Sequence, residues 1–127
     1  MRKLFFVLLV VSLLIIAGCS SVKYTKESLD KLVNCLAEKN VKEYGAFWCP
    51  NCAKQKKMFG SSYDIVESRG VYVECDARGK NPQSQLCLDK KVTKYPDWEF
   101  SNGERLVGVQ ELEILAEKAG CEKPVSK

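Results

Sequence analysis

Phe47-Trp48-Cys49-Pro50-Asn51-Cys52 is the stretch on which the reading of this chain turns. Val41 to Phe47, just before the first cysteine, suits a strand. Pro50 falls where proline is favoured, at the first position of a helix, and that helix runs through Ala53 to Phe59 and stops at Gly60. Cys49 is therefore expected at a strand-to-helix junction. There, unpaired backbone N–H groups and the helix macrodipole favour an anion, and so a nucleophilic thiolate. Cys52 lies one turn further in, tethered within reach of any mixed disulfide formed on Cys49. Thiol–disulfide exchange needs an exposed attacking sulfur and a resolving one of this kind.

Outward from this junction the pattern alternates. Leu29, Leu32, Val33 and Leu36 recur at helical spacing after a possible cap at Thr25, predicting a helix over 26–39. Val71 to Cys75 is a short β-branched strand, and Asn81-Pro82 opens a helix reaching to about Lys91. Asp97–Phe100 and Glu104–Val109 form a hairpin around Asn102-Gly103. Leu112, Leu115, Ala116 and Ala119 describe a last helix ended by Gly120. Strands separated by helices imply a parallel pair, and the hairpin adds an antiparallel edge. The expected fold is α/β, a central mixed sheet of about four strands flanked by helices.

The 127 residues allow one domain. Arg2 and Lys3 precede an apolar run from Leu4 to Ala17, too short to span a bilayer, which needs about 20 residues. The run ends in Ile16-Ala17-Gly18-Cys19, which resembles the lipobox of lipoprotein signal peptides. That resemblance implies a signal peptide at 1–18, cleavage before Cys19 and lipidation of its thiol. A tether at 19–25, the domain at 26–121 and a polar tail at 122–127 follow. The rest of the chain is then extracytoplasmic and membrane-anchored, at a periplasmic or cell-surface site. An uncleaved anchor or ordinary cleavage nearby is the alternative. Without Arg2 and Lys3, the 20 basic residues become 18 against 16 acidic ones, so the net charge falls from +4 to +2. The charges are interspersed, and no basic stripe argues for nucleic acid.

There is no histidine, which removes His-based catalysis and most zinc chemistry. Of seven cysteines, six remain if Cys19 carries lipid, an even number that reads as a disulfide set in an exported domain. Sequence alone does not choose their connectivity, apart from the near pair Cys49 and Cys52. A four-cysteine metal site completed by Cys75 and Cys87 is the competing reading of the CxxC, as is an inert structural disulfide. No metal and no separately bound cofactor are expected, because the cysteine pair is itself the redox group.

The CPNC motif, followed about 44 residues later by Tyr95-Pro96, resembles the pattern of the thioredoxin superfamily. Tyr44 to Cys52, Gln55 to Gly60, Tyr72-Val73-Glu74-Cys75, Gln85-Leu86-Cys87, Tyr95-Pro96-Asp97-Trp98 and Leu115 to Gly120 narrow the resemblance. They are similar to the thioredoxin-like domain associated with bacterial vitamin K epoxide reductase homologues. These relatives often carry His where this chain has Asn51. The resemblance implies a cis Pro96 facing the cysteines and a Tyr95 backbone that pairs with a substrate chain. It also places a buried acid, Glu43, beneath Cys52 as acceptor of its proton; the alternative is an exposed strand glutamate beside Lys42. With that fold, Cys75 and Cys87 are close enough to bridge, as are Cys35 on the first helix and Cys121 after the last. Cys75–Cys87 as a second, relaying redox pair is the alternative. Trp48 and Trp98 would frame the active-site surface with Pro50, Tyr95 and Phe47 to bind extended polypeptide, although Trp98 equally suits the core.

The function expected is a membrane-anchored thiol–disulfide oxidoreductase, monomeric, acting on cysteine-containing exported proteins or on a membrane quinone-linked oxidase resembling vitamin K epoxide reductase. Two rivals stand beside it: a reductase or isomerase with reversed electron flow, and a non-catalytic module that holds peptides in the same groove.

Overall fold

Helix α1 (Lys26–Glu38) buries Leu29, Leu32, Val33 and Leu36 as one stripe. Thr25 caps it, its Oγ1 accepting from the Ser28 N–H at 3.3 Å. A computed structural model describes residues 22–127. The expected signal peptide at 1–18, Cys19 and the first part of the 19–25 tether lie outside the described residues. Among those described, no helix is long and apolar enough to cross a membrane.

Strand β1 (Lys42–Gly45) lies in the middle of the sheet. On one side β2 (Tyr72–Glu74) runs parallel to it, and on the other β3 (Asp97–Glu99) runs antiparallel, followed by β4 (Arg105–Val107) at the edge. The order β2-β1-β3-β4 with helices around it is a thioredoxin-like fold. The strands are shorter than the apolar runs suggested. At Ala46 the chain leaves the ladder for a turn, its carbonyl accepting from the Cys49 N–H at 3.0 Å, so Phe47 is outside β1. The hairpin closes through Phe100 and Glu104, with Gly103 at φ 83° supplying the left-handed residue of a three-residue loop.

Helix α2 (Pro50–Phe59) does end at Gly60, but the chain does not then relax into a loop. A 3₁₀ turn (Gly60–Ser62) leads directly into α3 (Tyr63–Ser68), a helix absent from the sequence reading. Helix α4 (Ser84–Asp89) is shorter than the expected 81–91. Pro82 disfavours helical backbone in the residue before it, and Asn81 sits at φ 48°. Helix α5 (Leu112–Ala119) ends at Gly120, φ 71°, and the Cys121 N–H turns back to the Ala116 carbonyl at 2.8 Å.

The two faces of the sheet are filled differently. Trp98 of β3 joins α1, Phe59, Tyr63, Val66 and the buried side of α5 in the main core. Tyr44, Val73, Cys75 and Cys87 form a smaller cluster on the opposite face. Cys35 is bonded to Cys121, tying α1 to the end of α5, and Cys75 to Cys87, tying the end of β2 to α4. The chain ends are also joined, since Tyr24 and Ser126 form an antiparallel bridge and Tyr24 is buried. Residues 23–25 and 125–127 are therefore hydrogen-bonded to each other.

Candidate functional site

The turn from Ala46 to Cys49 makes Cys49 the N-cap of α2, with extended backbone and Pro50 as the first helical residue. Its Sγ accepts from the Cys52 N–H at 3.4 Å, so a free end-group of the helix points at the sulfur. The Cys49 thiol also reaches the Tyr95 carbonyl at 3.7 Å, and the Tyr95–Pro96 peptide is cis. Both Cys49 and Cys52 are free thiols. The exposed attacking sulfur expected from sequence is recessed: Cys49 is 7% exposed and Cys52 6%. Access comes from the flanks, where Phe47 is 58% and Trp48 53% exposed.

Cys52 rests on the sheet at Gly45. A Cβ at residue 45 would lie 3.0 Å from Cys52 Sγ and 2.8 Å from the Tyr72 ring, so only glycine permits this seat. Glu43, two residues back on β1, faces the same way as Gly45. It is fully buried, paired in register with Tyr72 on one side and Trp98 on the other. The Tyr63 hydroxyl donates to Glu43 Oε2 at 3.2 Å, whereas Oε1 has no partner among the described residues. Burial pushes the Glu43 carboxyl up to about 8, with the Tyr63 hydrogen bond pulling the other way. Burial likewise pushes the Cys52 thiol up to about 12, against the Ala46 backbone and with the help of Cys49 and Glu43. Burial thus raises the proton affinity of both the Cys52 thiol and the nearby Glu43 carboxyl.

The rim is held by residues that sequence reasoning missed. Trp48 Nε1 donates to Asp76 Oδ2 at 2.7 Å, and its ring stands edge-on to Tyr95 with centroids 6.1 Å apart. Arg78 grips Asp76 through Nε at 3.0 Å and Nη2 at 2.8 Å, and holds that carboxyl below the usual carboxylate range. The Arg78 guanidinium also lies 5.8 Å from the Phe47 ring centroid. Asp76 and Arg78 stand one and three residues after Cys75, but nothing in their spacing announces contact of Asp76 with a tryptophan 28 residues earlier. Trp98, by contrast, is absent from this rim. It is fully buried, donating to Gln55 Oε1 at 3.3 Å. Gln55 in turn bonds both backbone groups of Gln110, which ties α2 to the segment between β4 and α5. Pro50 stays exposed beside Cys49, and Pro96 is buried beneath Tyr95.

No family model matches the sequence. The chain is 38% identical over 82 residues to the thiol-disulfide oxidoreductase LTO1 of Arabidopsis thaliana. The matched stretch is 62% of this chain and 21% of that protein, so the chain spans about a fifth of its relative's length.

Proposed function

We propose that this chain is an extracytoplasmic, membrane-anchored thiol–disulfide oxidoreductase. It exchanges disulfides with cysteine-containing exported proteins or with a membrane quinone-linked oxidase resembling vitamin K epoxide reductase. The observation that carries this reading is the placement of two free thiols at the start of α2. Cys49 caps the helix while Cys52 lies behind it on Gly45, above a buried carboxylic acid. Similarity to a protein named as a thiol-disulfide oxidoreductase supports the same reading. Anchoring rests on the Leu4–Cys19 pattern.

In the reductive half, the Cys49 thiolate attacks a substrate disulfide, forming a mixed disulfide and releasing one substrate thiolate. Cys52 then attacks Cys49 Sγ, its proton passes to Glu43, and the second substrate sulfur leaves as thiolate. The Cys49–Cys52 bond formed carries the two electrons' worth of oxidation. Run backwards, the oxidised pair takes two electrons from a substrate dithiol and passes them to the membrane partner. Both directions use the same sulfurs, and the potential chooses between them.

The test is the reduction potential of the Cys49–Cys52 pair, by thiol trapping and mass analysis in glutathione buffers. A value near about −120 mV marks a disulfide donor, and one near about −270 mV a reductase that needs an electron supply. A pair that stays closed across that range, or a Cys49→Ser variant with undiminished function, would leave only a peptide-binding module.

A further inference from the structure

Beside Cys52 lies a cavity of about 130 Å³ lined by Cys52, Ala53, Lys56, Tyr63, Glu67 and Tyr72 among others. It has room for several water molecules. Lys56 and Glu67 stand on its wall as a loose ion pair at 3.7 Å, each about half exposed, so the cavity meets solvent between α2 and α3. Glu43 does not line it. A fully buried carboxyl that takes a proton in each cycle must also return it to water, and Tyr63 is the residue that both bonds the carboxyl and lines the cavity.

We infer that Tyr63 is the proton relay of the resolving step, connecting Glu43 to the cavity between α2 and α3. This rests on the exchange reading above. When Cys52 forms its bond to Cys49, its proton goes to the Glu43 carboxylate. The protonated carboxyl then donates to the Tyr63 oxygen as Tyr63 releases its own proton to water in the cavity, and no electrons move in this leg. By occupying Oε2, Tyr63 also leaves Oε1 as the open acceptor. Tyr63 is a positioning residue, since it acts on the sulfurs only through Glu43. The groups that face Glu43 are Cys52 and Lys56 from α2, Tyr63 and Glu67 from α3, and Tyr72 from β2. Glu67 raises its affinity for a proton, whereas Lys56 and the Tyr63 hydrogen bond lower it.

The experiment uses the full chain and Ellman's reagent. The first nitrothiobenzoate released reports attack by Cys49, and the second reports resolution by Cys52. In Tyr63→Phe the first release is expected to keep its rate. The second should slow about tenfold at neutral pH, with its pH midpoint raised by about one unit, because a hydrogen bond to the carboxylate is lost. Ala53→Leu, which fills the cavity without touching Glu43, should slow the second release without moving the midpoint. Should Tyr63→Phe not fold by near-ultraviolet circular dichroism, Ala53→Leu alone decides, and an unchanged second release there overturns the relay. A Tyr63→Phe protein that resolves at the wild-type rate and midpoint while Glu43→Gln is slow also overturns it, with the exchange reading intact. If Glu43→Gln is not slowed either, Cys52 gives its proton directly to water and the relay is overturned. Absence of the first release in the unaltered chain would instead sink the exchange reading.

Discussion

Glu43 and Asp97 lie on adjacent strands of one sheet, both sealed from solvent, and the protein treats them in opposite ways. Asp97 is opposite Tyr44, so it projects from the other face. There Arg105 clasps it with two hydrogen bonds, at 3.1 and 2.6 Å, and bonds Glu99 at 3.1 Å as well. Among the described residues, Glu43 has one neutral partner and one bare oxygen. A buried carboxylate with a bidentate guanidinium is chemically finished. A buried carboxyl without a cation has its proton affinity raised by burial, so it can both take up and give back a proton near neutral pH. The difference teaches that a single sheet can carry a stapled face, with Asp97, Arg105 and the Cys75–Cys87 bridge, and a working face, with Glu43, Gly45 and the cysteine of α2 upon it.

Substituting Glu43→Gln breaks the contrast most sharply. The carboxyl rises from 4.5 to about 8 on folding, so the native chain binds more protons than the unfolded chain between those values. Stability that depends on a neutral Glu43 is therefore complete below about 4.5 and is lost as the pH rises through about 8. Glutamine is neutral throughout. Urea denaturation should show wild type and Glu43→Gln close at pH about 5, with the variant more stable by a few kcal/mol at pH about 9. Its resolving step should be slower by about a hundredfold at neutral pH. Equal pH slopes for the two proteins would mean that Glu43 is ionised, and the contrast with Asp97 would fall.

On the stapled face, replacing Cys75 and Cys87 together by serine frees a loop closed over a separation of 12 residues. The expected loss is about 3 kcal/mol in urea denaturation, with both steps of thiol exchange retained. Loss of exchange at unchanged stability would make that bridge a relay instead of a staple.

Arg105→Met leaves Asp97 without its cation, while Glu99 keeps Lys90 at 2.7 Å. Removing one partner of a buried pair is costly, but the Arg105 side chain is 26% exposed and water can partly replace it. A loss of about 2 kcal/mol is expected, and no change in the Cys49–Cys52 potential. A shifted potential would show the two faces to be electrostatically joined.

Much of the fold was legible because it rests on local rules. The stripe in α1, Pro50 opening α2, the loop around Gly103 and Gly120 ending α5 are each set by a few neighbouring residues. Helix α3 was not, since six residues after Gly60-Ser61-Ser62 are too few to show a helical period. Its loss hid Tyr63, and with it the partner of Glu43. Glu43 itself stood undecided in sequence beside Lys42. Strand alternation turns the lysine toward the Gly70 carbonyl, at 2.6 Å, and the glutamate inward. Trp98 was open between rim and core, and Gln55, concealed as one polar residue in a lysine-rich helix, is what anchors it inside. Side-chain partners far apart in sequence, such as Trp48 with Asp76, carry no local signal at all.

The smallest expected effect sharpens the contrast furthest, because it asks how isolated Glu43 is. Lys56 is the nearest candidate for the cation that Glu43 lacks, yet it is paired loosely with Glu67 at 3.7 Å and over half exposed. A pair of that kind contributes about 0.5 kcal/mol or less, so Lys56→Gln should leave stability nearly unchanged. Lys56 does act on Glu43 through space, lowering its affinity for a proton. Its removal should therefore raise the pH midpoint of the resolving step, by a few tenths of a unit at low salt. Solvent screens that action, with a Debye length near 10 Å at about 0.1 M salt and near 3 Å at about 1 M. The wild-type and Lys56→Gln midpoints should converge as salt is added, whereas the Tyr63→Phe shift, which comes from a buried hydrogen bond, should persist. A Lys56→Gln shift that survives about 1 M salt would mean that Lys56 reaches into the cavity as a true counter-ion. Glu43 would then resemble Asp97 more than its bare oxygen suggests.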